Sequence, residues 1–128
     1  MSMNPFDICK AFNAGKDIYA ETEDKESFFK DYPAFIINLY YSMYPDTIWV
    51  AHQADMMNLT PEMHYTFFLN SIRPCKRAYK WNKKHKIEDV EMIQEYYDCN
   101  MKRAEEALTI LSTEAVDTIK QRMEKGGN

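Results

Sequence analysis

Read as a pattern of apolar and polar positions, the chain is a succession of short helices separated by capping residues. Asn4-Pro5 sets a capping side chain before a proline at the first helical position, and Gly15 suits the far end. The pattern therefore predicts a helix over 5–14. Residues 15–31 are mostly polar or charged and read as a loop with one turn around Phe28 and Phe29. Pro33 then opens the most apolar stretch: Phe35, Ile36, Ile37, Leu39, Tyr40, Tyr41, Met43 and Tyr44. Ile36, Leu39, Tyr40 and Met43 keep helical spacing, yet the other faces are apolar too, which marks a helix that is central or covered by a partner. Tyr44-Pro45-Asp46 ends it.

Asp46 or Thr47 caps the next predicted helix, with Val50, Ala54 and Met57 as its inward stripe and Trp49 and Met56 beside it. Thr60-Pro61 repeats the capping logic ahead of Tyr65, Phe68, Leu69 and Ile72 at i, i+3, i+4 and i+7. Arg73-Pro74 breaks the chain, and a basic segment runs to Lys86. Three compact helical patterns follow. In the first, Val90, Ile93 and Tyr97 point inward and Glu88, Glu91 and Glu95 outward. Asn100 caps the second, which carries Met101, Ala104, Leu108 and Leu111. Ser112 or Thr113 caps the third, with Val116, Ile119 and Met123, before Gly126-Gly127. The expectation is an all-α chain with a seam between Lys83 and Ile87: a helical domain over 1–86 and a small three-helix region over 87–128.

Composition narrows the chemistry. Three glycines beside five prolines are too few for a typical all-β fold. They also rule out the glycine-rich motifs. Gly15-Lys16 is followed by Asp17, and position 10 is Lys10, so no GxxxxGK[ST] phosphate loop can be assembled. GxGxxG and GxSxG are equally impossible. Cys9, Cys75 and Cys99 are odd in number and widely spaced, which is neither a disulfide framework nor a zinc knuckle and suits a reducing compartment. The N-terminus lacks the features of a signal peptide, and the longest charge-free stretch, Tyr32 to Pro45, is too short to span a bilayer. The expectation is a soluble, cytoplasmic protein.

Charge then singles out one segment. Between Arg73 and Lys86 there are seven Lys/Arg and no acid, which leaves nine cations against twenty anions elsewhere. If residues 74–85 are helical, Arg73, Lys76, Arg77, Lys80, Lys83 and Lys84 share about a third of the circumference. Tyr79 and Trp81 flank them. This face suits phosphate contacts of a nucleic acid, and it equally suits docking on an acidic partner. Nine tyrosines and seven phenylalanines are too many for all to face inward, which points to an obligate partner. His52 and Asp55 lie three apart on one helix, a spacing that more often makes a surface hydrogen bond than an acid–base pair. No ligand spacing supports a metal site, no cofactor motif is present, and no catalytic residue is assigned.

The quoted motifs carry a resemblance. Tyr44-Pro45-Asp46, Met56-Met57-Asn58-Leu59, Tyr65-Thr66-Phe67-Phe68-Leu69 and above all Ile72 to Trp81 are similar to the small, non-ATPase subunit of tailed-bacteriophage sliding-clamp loaders. Lys76 to Trp81 is the most specific part. Similarity runs best from Pro33 to Lys84, and more loosely through Glu95-Tyr96-Tyr97 and Ala104 to Leu111.

The resemblance implies a collar-like helical body without an ATPase module, plus a small C-terminal domain. It also implies partners: four copies of an AAA+ ATPase subunit in an open spiral, the sliding clamp, and primer–template DNA in the host cytoplasm. Read this way, part of the surface formed by Tyr40, Tyr41, Tyr44, Phe67 and Phe68 is expected to be covered only in the complex. Arg73, Lys76, Arg77, Lys80, Trp81, Lys83 and Lys84 are expected to meet nucleic acid or a partner. The rival reading is a free-standing helical nucleic-acid-binding regulator that uses 73–86. Its weakness is a face dominated by lysine rather than by base-reading side chains.

Overall fold

The computed structural model describes residues 4–77 and 87–126, and every regular element in them is a helix. The chain is all-α. It divides into two compact units, residues 1–78 and 79–128.

The first unit holds α1 (Pro5–Asn13), α2 (Ile18–Glu21), α3 (Lys25–Phe28), α4 (Ala34–Tyr41), α5 (Ile48–Met56) and α6 (Pro61–Ser71). The caps of α1 and α6 fall where the sequence places them, whereas Thr47, at the N-cap of α5, makes no capping bond and its hydroxyl donates to the Tyr41 carbonyl at 2.7 Å instead. The Asn4 side chain accepts from the Phe6 N–H, and the Thr60 hydroxyl accepts from the Met63 N–H, each ahead of a proline in the first helical turn. The 15–31 loop is a correction. It contains two single-turn helices capped by Asp17 and Asp24, and it buries Phe28. Tyr19, Phe28 and Phe29 pack there against Tyr65 with ring centroids 5.3 to 6.3 Å away.

α4 is central, as its all-round apolarity implies. It packs on α1 and α5 and buries Ile36, Ile37, Tyr40 and Tyr41. Phe12 of α1 meets Tyr41, Tyr65 and Phe68 at 6.3, 5.4 and 6.1 Å, so one aromatic core joins α1, α4 and α6. Gly15 closes α1 at φ +71°, and a Cβ there would stand 2.9 Å from Pro74 Cγ. Glycine is thus required twice over, by its backbone and by its neighbour.

The second unit holds α7 (Ile87–Tyr97), α8 (Met101–Ile110) and α9 (Thr113–Gly126), with α7 packed on both others. α7 ends in a left-handed Asp98 (φ 54°), and the Cys99 N–H returns to the Gln94 carbonyl at 3.1 Å, the bond pattern of a Schellman stop. Asn100 then caps α8 through the Arg103 N–H. Val90, Ile93, Ala104, Ala107, Leu108, Ile110, Leu111 and Ile119 form the core. Met101, expected inside, is 58% exposed.

Candidate partner-docking face and the anchored basic segment

α5 is built the wrong way round for a helix of an isolated domain. Its buried face consists of Ala51 and Ala54, whose small side chains let α4 and α6 pack closely on it. The large apolar side chains point out: Trp49 is 73% exposed, Met56 69% and Ile48 45%. At 100° per residue these three fall within about a third of the circumference, opposite the two alanines. Val50 is half-buried and Met57 exposed, so the expected stripe of Val50, Ala54 and Met57 is rotated. Met63, in the first turns of α6, is exposed as well. Apolar surface of this size gathered on one helix is the mark of a face that another protein covers.

The aromatic residues expected to await a partner are placed differently. Tyr40, Tyr41 and Phe68 are 4%, 0% and 0% exposed, buried within the chain itself, while Tyr44 and Phe67 are half-buried. For the two buried tyrosines the reason is local satisfaction of their polar ends. The single Tyr41 hydroxyl proton is shared between Asn13 Oδ1 at 2.8 Å and the Cys9 carbonyl at 3.1 Å, and Asn13 Nδ2 donates to the Tyr40 hydroxyl at 3.1 Å. Burial pushes the Tyr41 phenol well above its ordinary range, and the Cys9 thiol likewise.

The same Asn13 amide receives the basic segment. After α6 the backbone turns extended at Ile72, and the residue preceding a proline avoids the helical region, so residues 73–77 are not helical. The helical stripe therefore does not begin at Arg73. Pro74 lies over Gly15, and Arg77 turns inward. Its side chain is only 3% exposed. Nη1 donates to Asn13 Oδ1 at 2.8 Å, Nη2 donates to Asp46 Oδ2 at 2.7 Å and to the Arg73 carbonyl at 3.1 Å, and the guanidinium lies over the Tyr41 and Tyr44 rings. Only Nε is buried without an acceptor. The hydrogen bond from Arg77 holds the Asp46 carboxyl below its usual range. Arg73 and Lys76, by contrast, are exposed. Lys80, Trp81, Lys83 and Lys84 lie outside the described residues.

Nothing catalytic assembles around His52 and Asp55. Both are exposed, no hydrogen bond joins them, and the His52 ring sits edge-on to Trp49 at 6.3 Å. The buried histidine is His64. Its Nε2–H donates to Asn38 Oδ1 at 2.7 Å and Nδ1 accepts from the Tyr32 hydroxyl at 2.9 Å, a neutral ring stacked on Phe68 and lowered to a pKa of about 4 by burial. Among the described residues no group of His, Cys, Asp or Glu is arranged to hold a metal ion, and no helix is long and apolar enough to cross a membrane.

These observations define the class first: a small all-helical protein with an uncovered apolar helix face and an internally anchored arginine in its basic segment. The family model for bacteriophage clamp loader A subunits matches residues 2–124, and the chain belongs to that family. No curated protein and no solved structure matches the chain.

Proposed function

We propose that the chain is a non-catalytic subunit of a phage clamp loader, assembling with an AAA+ ATPase large subunit to place the sliding clamp on primer–template DNA. The family match over residues 2–124 is the observation that carries this reading. The α5 face supports it: Ile48, Trp49 and Met56 supply the apolar surface that docks on the large subunit. The absence of any phosphate-loop motif assigns ATP hydrolysis to that partner. Arg73, Lys76, Lys80, Lys83 and Lys84 contribute phosphate contacts in the loaded complex, with Trp81 beside them. Arg77 is left out of that set because its donors are engaged inside the fold.

The test mixes the full chain with the large ATPase subunit of the same phage on a sizing column and follows ATP turnover. Co-elution is expected, with DNA- and clamp-stimulated turnover in the mixture and none from the chain alone. A Trp49→Glu, Met56→Glu double variant should elute apart from the large subunit while keeping the melting curve of the wild type. Separate elution of the wild-type chain with DNA affinity intact would sink the assembly reading in favour of the free-standing regulator. Co-elution of the double variant would move the docking face off α5.

A further inference from the structure

We propose that the second unit carries a docking groove for a basic amphipathic helix from another protein. The groove lies between α7 and α8 and encloses about 580 Å³. Its apolar parts are Ile87, Val90 and Met101, and two of these face solvent to an extent a three-helix unit has no internal reason for: Ile87 is 76% and Met101 58% exposed. Its charged lining is Glu91, Glu105 and Glu106 against one cation, Lys102. Glu106 is engaged by Arg103 at 2.6 Å, whereas Glu91 and Glu105 are exposed and make no ion pair among the described residues.

Charge decides the occupant. Residues 87–126 hold ten carboxylates against five Lys/Arg. The Glu88, Glu91 and Glu95 ridge of α7 also borders a second, smaller cleft of about 320 Å³ toward α9, where Met92 and Met123 sit among Glu124 and Lys120. An acidic helix placed in the α7–α8 groove would meet like charge on both walls, and an uncharged apolar helix would leave Glu91 and Glu105 poorly solvated beside it. A helix with an apolar stripe and flanking lysines or arginines satisfies the floor and the walls together. This inference is independent of the α5 face and of the DNA contacts proposed for 73–84.

The test uses the full chain and a fluorescein-labelled helical peptide of leucine and lysine, about four turns long, with its leucines on one stripe. A second peptide of the same composition has its leucines scattered round the helix. Anisotropy titrations are run at about 50 and about 200 mM salt. The striped peptide should bind roughly tenfold tighter than the scattered one, because only the stripe buries its apolar area. Ile87→Ser with Met101→Ser should weaken it by roughly tenfold, and since both side chains are exposed, the circular dichroism melt should be unchanged. Glu91→Gln with Glu105→Gln should weaken it by about fivefold and flatten its salt dependence. Equal binding of the two peptides would overturn the proposal, as would undiminished affinity in either pair of variants, which places the peptide elsewhere on the acidic surface. A gain in affinity for the striped peptide that the equally charged scattered peptide does not share, after Lys80, Lys83, Lys84 and Lys86 are replaced by Ser, would also overturn it, by making the chain's own lysines the occupant.

Discussion

Arg77 is where the structure makes its least expected demand, so its removal has a calculable consequence. Arg77→Ala deletes a nearly fully buried stem, the donors to Asn13 and Asp46, and the contact with the Tyr41 and Tyr44 rings. Losing the packed stem is worth about 1–2 kcal/mol. The charge-assisted bonds add about 1.5–3 kcal/mol each when both ends are buried, but neither end is left stranded here. Asn13 Oδ1 keeps the Tyr41 hydroxyl, and the Asp46 side chain is 42% exposed and rehydrates. The orphaned Nε, relieved by the substitution, subtracts further. With the two bonds discounted to about 1 kcal/mol each because neither end is stranded, the balance is a loss of about 2–3 kcal/mol. That lowers the melting of a unit of this size by at least ~10 °C.

Urea unfolding followed by circular dichroism measures this loss. Arg77→Met, which keeps the stem, should cost only about half as much. A cycle with Asp46→Asn should return a coupling of no more than about 1 kcal/mol that shrinks in salt, as for any half-exposed carboxylate. The reasoning fails if Arg77→Ala unfolds within about 0.5 kcal/mol of wild type while the assembled loader loses DNA affinity, because Arg77 would then be spent on a phosphate and not on the fold.

Two further outcomes follow from single residues. His64 titrates near 6.5 when unfolded and near 4 when folded, so the unfolded chain binds the extra proton as pH falls through that window. Stability should drop by about 3 kcal/mol between those pH values, the Asp46 ion pair should add its own loss only below about pH 4, and His64→Gln should flatten the upper window in urea titrations at stepped pH. Gly15→Ala should destabilise by about 1–2 kcal/mol, through the left-handed φ and the clash with Pro74, and Gly15→Asn should destabilise less than a β-branched residue there. Denaturant midpoints for the three variants check that order.

The helix ends were legible because capping is local chemistry: Asn4, Thr60 and Asn100 each bind a backbone N–H two or three residues on, and no distant neighbour is needed to see it. The hydrophobic stripe of α6 was legible for the same kind of reason, with Tyr65, Phe68 and Ile72 inside as spaced. α5 was not. Periodicity assumes that the large apolar side chains go inward, and here two alanines take that place while Trp49 and Met56 stay out. α2 and α3 were hidden by their length, since four residues show no period, and their aspartate caps were the signal to read. The burial of Tyr40 and Tyr41 within the chain was not legible because Asn13, more than twenty-five residues away in sequence, supplies polar partners that no spacing rule announces.

That placement bears on what a family motif means. Lys76 to Trp81 lies within the span that the clamp loader A subunit family model matches, and it is tempting to assign the whole of it one role. Within it, neighbouring cations go opposite ways: Lys76 faces solvent, and Arg77 is fastened to α1 and to the turn before α5. Lysine would not replace Arg77 there, because a single ammonium cannot donate in parallel to Asn13, Asp46 and a carbonyl while lying flat on two rings. Arg73 and Lys76, on either side of Pro74, are exposed. The motif therefore holds at least one residue whose geometry is fixed by the fold. Arg77→Lys and Lys76→Arg, equal in charge, should consequently differ: the first loses stability and the second changes nothing.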